Sequence, residues 1–410
     1  MTDRSLLKRL NNILDLFVYR SHQNPKATRA YGLDQDHSLQ LEGMNSIRFD
    51  SAVESLLDLI PDGKNTLSRE RVEKELIPEI QRKKMEKTNF TEADSDLFRQ
   101  KLQNIPTERF RVWRPIYGIM LPEGGAPISM GDFRVYDANS FLTQIHRELP
   151  KNSRLHESKR LQGPHILIEV FARDSTKALE LADALFYRFE LIMRFFVGRR
   201  TERYEVGILN YNGPQMRDNI LIGESQVVEG GAWRGPLQLI PLADRFFTAP
   251  PAPFMKLLHM ITKQNSQLET HILRCAEWTG QAMGDPNAAS AFVKAATALE
   301  VMFSANEKGV ITPSIMAQIS ESCAFLLGKS EESAKEIERD VKRLYGVRSA
   351  VVHSGKDSVP NDDLDTLIQI CRNVVLTLLS GKEFEGKTSI ESVAEHFKAK
   401  KYASMNSGST

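Results

Sequence analysis

Apolar residues in the C-terminal third of the chain recur at the spacing of one helix face. The segment RDVKRLYGVRSAVVHSGKD and the residues just before it hold a row made of Ile337, Val341, Leu344 and Val352. Spacings of three, four and eight place these side chains on one side of a helix that packs on a core. Arg348 lies in the same row. Because a guanidinium stays charged and is rarely buried alone, its place predicts a polar partner or a functional role.

Similar patterns predict a bundle of five helices in residues 254–385. The five predicted helices cover 254–278, 285–304, 313–328, 330–355 and 361–381. Asp285 and Pro286 stand in the order expected for an N-cap and a first-turn residue. Three prolines between positions 250 and 253 predict a domain boundary before the bundle. Residues 386–410 predict a C-terminal helix and then a disordered tail over the last nine residues.

The chain before the bundle changes character at about residue 105. Residues 1–104 are polar and predict a helical N-terminal region. Residues 105–250 predict an α+β domain, in which β-favouring residues on both sides of the turn PEGGAP indicate a pair of strands. HILIEVFARD predicts another strand. The segment after it predicts a long helix capped by Asp174 or Ser175. RYEVGILNY and NILIGESQVV predict further strands. The predicted fold class is therefore mixed, an N-terminal helical region and an α+β domain followed by an all-α bundle.

The composition narrows the classes of protein to consider. With 410 residues, 41% hydrophobic and 26% charged, the chain has the profile of a soluble globular protein of two or three domains. Its net charge of +1 gives no overall attraction to nucleic acid or membrane, so such binding needs a local patch. Three cysteines lie far apart without a CxxC pair, which argues against a zinc site or a disulfide scaffold and predicts buried, reduced thiols. They are Cys275, Cys323 and Cys371.

The N-terminus and the hydropathy profile bear on location. The first twenty residues, MTDRSLLKRLNNILDLFVYR, carry charges among their apolar positions and so lack the apolar stretch of a signal peptide. They predict an amphipathic helix instead. No run of eighteen apolar residues occurs, so no membrane span is predicted, and a cytoplasmic protein is expected.

An arginine followed five residues later by a histidine is the candidate motif. Such a pair arises by chance about 0.7 times in a chain of this composition, and the sequence has two. Arg160 and His165 flank Gly163 and Pro164, which break a helix, so this pair is interpreted as the chance occurrence. Arg348 and His353 close a predicted helix of an all-helical domain.

The second pair, in its context, resembles the HEPN superfamily, whose signature is an arginine and a histidine four to six residues apart on a helical bundle. The segments ALEVMFS (298–304) and LYGVRSAVVHSGK (344–356) resemble its Apea-like branch most closely. The resemblance covers about 285–381, with a weaker likeness of GIMLPEGGAPISMGDFRVYD to the strand region ahead of the bundle. Directly after the arginine, where HEPN nucleases often carry Asn, Asp or His, this chain has Ser349.

The resemblance implies a metal-independent endoribonuclease, toxin-like or antiviral, that acts on RNA as a homodimer formed through the bundle. It implies Arg348 and His353 as catalytic residues and no cofactor. Supporting roles fall to Ser349, Tyr345 and Glu300, the last as the acidic partner of Arg348 without RNA, and Lys356 is a candidate contact to the RNA backbone. A trigger or regulatory partner is expected at the N-terminal regions.

The chemistry of the pair is consistent with this activity. Cleavage by the 2′-hydroxyl of RNA needs a base, an acid and positive charge at the phosphorus, which histidine and arginine supply without a metal. Five residues turn about 140° and rise roughly 7.5 Å on a helix, so Arg348 and His353 point in different directions. One helix thus makes an incomplete site, whereas two helices about a two-fold axis bring both residue types together.

Two other readings of the pair stay open. Arg348 is explained equally by an ion pair inside the bundle, with His353 placed near the negative end of the helix. The same fold is also compatible with a catalytically silent module for RNA binding or dimerisation, which Ser349 favours.

Overall fold

The computed structural model has a mixed α+β fold with a helical C-terminal region. It describes residues 3–20, 26–32, 38–122, 124–148, 163–197, 206–209, 215–222, 227–234, 239–242, 247, 249, 251–303 and 315–407. Two compact units are present, Met1–Val112 with Glu169–Asp183, and Trp113–Ile168 with Ala184–Thr410. The sequence instead predicts divisions near 104 and 250. Among the described residues, no helix has the length and apolar content needed to cross a membrane.

The first unit contains five helices in the described part of the chain. They are α1 (Asp3–Asp15), α2 (Asn45–Leu57), α3 (Gly63–Thr66), α4 (Arg69–Glu86) and α5 (Glu92–Gln103). Ser68 caps α4, since its side chain accepts from Arg71 N, and Thr91 forms a capping box with Asp94 at the start of α5. The helix predicted at the N-terminus is confirmed as α1.

This unit also holds a three-stranded antiparallel sheet that the prediction of a mostly helical region over residues 1–104 missed. Its strands are β1 (Phe17–Arg20), β2 (Ala27–Gly32) and β3 (Ser38–Glu42), and β3 lies in the centre. The segments are only four to six residues long. Because so short a run shows too few alternations to mark a strand, its pairing depends on contacts distant in sequence.

An ion-pair network fixes this sheet to the helices of the first unit. Arg29 on β2 contacts Asp50 on α2 at 3.0 Å and Glu73 on α4 at 2.7 Å. Glu73 is buried, so its carboxylate depends on cations, and Arg69 supplies a second one at 3.1 Å. Below this network, a continuous apolar core holds fully buried side chains such as Leu10, Leu41, Phe49, Leu76 and Leu102.

The central strands form three further sheets. Strands β4 (Glu108–Pro115), β6 (Ile128–Met130), β7 (Phe133–Tyr136) and β8 (His165–Ala172) make one sheet in the order β4-β8-β7-β6. Short strands β5 (Ile119–Met120) and β11 (Ile240–Pro241) pair in parallel, and β9 (Gln215–Ile222) pairs with β10 (Val227–Arg234). The HILIEVFARD strand is confirmed as β8, and the strand in NILIGESQVV is part of the β9–β10 hairpin.

The strand pair predicted around PEGGAP is wrong in its pairing. Both flanks do contain strands, but β5 pairs with β11, and β6 turns back through Gly131 to pair with β7. Gly131 has a φ of 64°, which suits this tight connection. In RYEVGILNY, the described residues form only an isolated bridge from Gly207 to Tyr117.

In the second unit, Gly280 of the helix Gln267–Gly284 packs directly against the backbone of another long helix at Leu191. Helix α6 (Ala138–Glu148) follows β7, and α7 (Ser175–Val197) begins at the N-cap Asp174, whose carboxylate accepts from Lys177 N at 2.9 Å. A Cβ at Gly280 would lie 2.2 Å from the Leu191 carbonyl oxygen of α7. Only glycine therefore allows the two backbones to approach so closely.

The bundle consists of more helices than the sequence predicts. Its helices are α8 (Ala252–Thr262), α9 (Gln267–Gly284), α10 (Ala288–Phe303), α11 (Ile315–Leu327), α12 (Glu331–Ser354) and α13 (Asn361–Ser380). The single helix predicted over 254–278 is wrong, because Lys263 is extended and Ser266 caps a new helix. Asp285 is not the N-cap of α10; Asn287 has that role, since its side chain accepts from Ser290 N at 2.8 Å.

The last helix, α14 (Ile390–Ser407), corrects the predicted tail. It continues through Tyr402 to Ser407, where disorder was expected, and residues 408–410 lie outside the described residues. Phe397 anchors α14, because its ring lies 6.1 Å from that of Phe325 on α11 and 6.4 Å from that of Phe384. The polar composition of the last residues does not reveal this packing.

His165, in the pair interpreted as a chance occurrence, is a buried side chain of β8. It is 1% exposed, and its ring stacks on Phe141 with centroids 3.8 Å apart. Nδ1–H donates to Gly163 O at 3.0 Å, while Nε2 is buried without a hydrogen-bond partner among the described residues. Burial lowers the pKa of His165, because a charged ring there loses its hydration. Arg160 lies outside the described residues.

Stability should fall with acid because of this histidine. Above pH 6.5, the ordinary pKa of histidine, the ring is neutral in both the folded and unfolded states. Below it, only the unfolded state binds the proton, so the free energy of unfolding should fall by up to about 1.4 kcal/mol per pH unit. Urea unfolding followed at several pH values on both sides of 6.5 measures this slope. His165→Phe, which keeps the stack, should flatten it, and an unchanged slope in the variant would contradict the assignment.

Candidate functional site

Helix α12 carries both residues of the candidate motif. It is one unbroken helix of 24 residues, begun by a capping box between Ser330 and Ser333 and ended at Gly355, whose φ of 65° is favourable for glycine. The predicted bounds of this helix are confirmed. Arg348 and His353 therefore lie on one regular helix, about 140° apart around its axis.

The apolar row of α12 is buried only along its middle part. Val341 and Leu344 are fully buried and Ile337 is half-buried, as expected. Val352, which continues the same row, is 46% exposed. The expectation that Val352 packs in the core is therefore wrong, because the last turn of α12 leaves this side of the helix uncovered among the described residues.

Arg348 pairs with Glu300 of helix α10, as the sequence predicts. Its Nη2 lies 3.1 Å from Glu300 Oε1, and the two side chains are 26% and 24% exposed. Arg348 Nε is buried and has no hydrogen-bond partner in the described part of the chain. The guanidinium thus has its charge balanced by one carboxylate but retains a donor that nothing in the described structure uses.

Tyr345 fixes α12 to α10 one turn before Arg348. Its hydroxyl donates to Ala296 O at 3.2 Å, and its ring is buried. Burial, and then the charge of Glu300, raise the pKa of Tyr345 well above its usual range. The hydroxyl stays protonated at ordinary pH, so Tyr345 positions the helix and is unsuited to be a base.

His353, Ser349 and Lys356 are all exposed. His353 is in the last turn of α12, where the negative end of the helix favours a cation. Lys356 follows the helix end, and its backbone N–H donates to Ala350 O. The structure thus brings Glu300 and Tyr345 to Arg348, while His353 and Lys356 lie at the open end of the helix, each without a side-chain hydrogen bond or ion pair to the described residues.

A small-residue face on α12 was missed by sequence reasoning. Seven residues turn about 700°, so Gly346 and His353 lie on nearly the same side, with Ser349 and Ala350 close to that line. A Cβ at Gly346 would meet nothing within 4 Å. Glycine inside a helix costs roughly 1 kcal/mol relative to alanine, and no contact within this chain explains it. A glycine inside a strongly periodic helix was the sequence feature from which this face could have been predicted.

The three cysteines lie in the bundle core. All are buried and free, as predicted, on α9, α11 and α13 respectively, and Cys371 Sγ–H donates to Ala295 O at 3.3 Å. Burial raises the pKa of Cys371 to about 12 and raises those of Cys275 and Cys323. The thiols are therefore protonated and unreactive at neutral pH. No cluster of His, Cys, Asp and Glu suited to a metal ion occurs in the described residues.

Comparisons with known proteins give no match to this chain. No protein-family model matches the chain. No curated protein matches it, and no solved structure matches it either. Membership of the HEPN superfamily therefore stays a prediction from the motif.

Proposed function

We propose that the protein is a metal-independent, HEPN-type endoribonuclease of the cytoplasm, acting as a toxin-like or antiviral effector. The observation that carries the proposal is the arrangement on α12: Arg348 held half-buried by Glu300, and His353 exposed five residues later on the same helix. Residues 1–250 are the proposed place for a trigger or regulatory partner.

The proposed reaction uses only side chains and the RNA itself. The 2′-oxygen attacks the adjacent phosphorus while its proton passes to a base, and the P–O5′ bond breaks as the 5′-oxygen takes a proton. The products are a 2′,3′-cyclic phosphate and a 5′-hydroxyl. His353 is exposed and its imidazole serves as base or acid. Arg348 donates to the phosphate oxygens that gain charge.

Glu300 keeps Arg348 in place until a phosphate arrives. A guanidinium has five N–H donors, and Glu300 occupies only one edge of it. Both side chains are about one quarter exposed, so an incoming phosphate is able to compete with the carboxylate. Tyr345, bound to Ala296 O, holds the backbone that presents the arginine.

A two-fold dimer completes the proposed site. Because Arg348 and His353 point about 140° apart, one helix cannot direct both at one phosphate. The face made of Gly346, Ser349 and Ala350 permits close approach of a second α12, and the exposed Val352 adds an apolar contact. RNA would bind in the cleft between the two copies, with Lys356 at its rim.

A catalytically silent module is the second candidate. The Arg348–Glu300 pair favours it, because the same geometry serves an ion pair that only joins α10 to α12. Ser349 favours it too, since a serine cannot titrate in the catalytic range. In that case the bundle would bind RNA or dimerise without cleavage.

Loss of either catalytic residue should abolish cleavage without unfolding the protein. Arg348→Ala and His353→Ala should each lower the rate by about a hundredfold or more, the size expected for an acid–base group or a charge stabiliser. The measurement is incubation with total RNA and detection of fragments ending in 2′,3′-cyclic phosphate. Arg339→Ala, an exposed arginine of the same helix, and His259→Ala, an exposed histidine of α8, are matched controls. Absence of cleavage by the parent protein would support the silent module, and equal cleavage by parent and variants would show that this pair is not catalytic.

Chelation should leave cleavage largely intact. The proton transfers and charge stabilisation are assigned to His353 and Arg348, so strong chelators such as EDTA should change the rate little. The same RNA assay with and without chelator measures this. Loss of activity that magnesium or manganese restores would refute the mechanism.

Variants of the Arg348–Glu300 pair should affect the stability of the protein and its cleavage of RNA differently. Arg348→Met alone leaves a carboxylate without its cation and should lower the free energy of unfolding by about 1–2 kcal/mol. Adding Glu300→Leu removes that carboxylate and should restore most of the stability, whereas cleavage should stay absent. Urea unfolding and the RNA assay on the same three proteins test this. Recovered cleavage in the double variant would show that Arg348 serves structure alone.

The dimer should depend on the open face of α12. Gly346→Leu and Val352→Asp should each give a folded monomer without cleavage, because a stable interface buries on the order of 1,200 Å² and is opposed by bulk at the close approach beside Gly346 and by charge at the apolar contact of Val352. Light scattering measures the mass. Lys335→Leu, on the same face but about 16 Å nearer the helix start than Gly346, is the control. A folded monomer that cuts RNA at the parental rate would contradict the shared site.

A further inference from the structure

Strands β4 and β8 present four side chains on one outer face within the first unit. They are Arg109, Arg111, Glu169 and Phe171, and we name them the Arg–Phe face. Arg111 Nε donates to Glu169 Oε1 at 3.0 Å, and Arg109 Nη1 lies 3.6 Å from Glu169 Oε2. These contacts place both arginines on the side of Glu169. Phe171, two residues further along β8, points to that side as well.

The exposure of Phe171 is unusual for its strand. Its neighbours Val170 and Ala172 are buried on the other face, whereas Phe171 is 62% exposed. Its ring has no aromatic contact with a described residue. An aromatic ring left in water forgoes the free energy that its burial would supply, so exposure on a regular strand indicates a surface that binds something.

Two guanidinium groups lie beside this ring. Both meet the carboxylate of Glu169. Arg109 is 52% exposed and Arg111 33% exposed, which leaves both within reach of a ligand. The two arginines stand about 7 Å apart along β4, since each strand residue advances roughly 3.4 Å.

An exposed ring next to paired arginines matches the chemistry of an unpaired nucleotide strand. Every base has a flat face that stacks on an aromatic side chain, and phosphates are attracted to guanidinium groups. A single strand supplies both a flat base and phosphates in one ligand, whereas a duplex offers no free base to Phe171. Strand β4 is also an edge strand of its sheet, so the sheet leaves access from that side.

We propose that the Arg–Phe face binds single-stranded RNA, with one base stacked on Phe171 and neighbouring phosphates at Arg109 and Arg111. The choice of RNA over DNA rests on the proposed ribonuclease function. The face selects unpaired RNA for that activity, and its binding step requires neither His353 nor Arg348.

Binding to an oligonucleotide that cannot be cut tests this face independently of catalysis. The full chain is titrated into a fluorescent single strand with 2′-O-methyl groups, and anisotropy gives the Kd. Phe171→Ala should weaken binding at least about fivefold, whereas Phe171→Trp should keep it, because stacking needs a flat ring. Leu97→Ala, an equally exposed apolar residue of the first unit, should change nothing.

Salt dependence tests the arginines. Replacing both Arg109 and Arg111 by glutamine should reduce the slope of log K against log salt by about 1.4, since each phosphate contact to a single strand contributes about 0.7. Arg20→Gln is the matched control, as Arg20 is exposed and likewise pairs with one glutamate, Glu42. A duplex of the same sequence should bind more weakly than the single strand.

The outcomes separate this proposal from the proposed nuclease. In the Arg348→Ala background, which does not cleave, adding Phe171→Ala should still weaken binding of the uncut strand at least about fivefold, so lost cleavage with a retained effect of Phe171 leaves the Arg–Phe face in place. Parental affinity in Phe171→Ala, equal affinity for the duplex, or no binding of any strand would each overturn the face as an RNA site. If the protein bound no strand but still cleaved RNA, the Arg–Phe face would be refuted as an RNA site and the proposed nuclease activity would not.

Discussion

The candidate site depends on one charge in an apolar row. Arg348 stands where the periodicity of α12 calls for an apolar side chain, and a guanidinium there needs a counter-charge. Glu300 supplies it from α10, and the Tyr345–Ala296 hydrogen bond reinforces the same helix contact one turn earlier. Together they hold the last two turns of α12 in a fixed direction. Every chemical role assigned to the helix presumes that direction.

Beyond Arg348 the helix continues where no described residue covers its apolar side. Val352 is exposed, His353 follows it, and Gly355 ends the helix through a left-handed residue. A half-buried ion pair, an interior glycine and an exposed valine thus occur within a few residues of one helix. The proposed dimer with RNA in its cleft would account for all three.

Much of the fold follows from local patterns, and the errors share one cause. Helices α7 and α12 were predictable because their apolar periodicity is long and their caps, Asp174 and Ser330, are next to them in sequence. Strands β1 to β3 and the pairing of β5 with β11 were not, because partners distant in sequence decide them. The extension of α14 through Tyr402 was not predictable for the same reason, since Phe397 is held by the rings of Phe325 and Phe384.

The sequence by itself determined the motif, the helix that carries it and the angle between Arg348 and His353, because helix geometry is fixed by residue spacing. It also determined that the cysteines are buried thiols, from their apolar surroundings and spacing. The sequence indicated Glu300 as the partner of Arg348, but only the tertiary structure decided that the two side chains meet and that Val352 is exposed. It alone placed Phe171 outside the sheet beside two arginines. These facts depend on which elements become neighbours, and packing between distant segments, rather than local spacing, sets that.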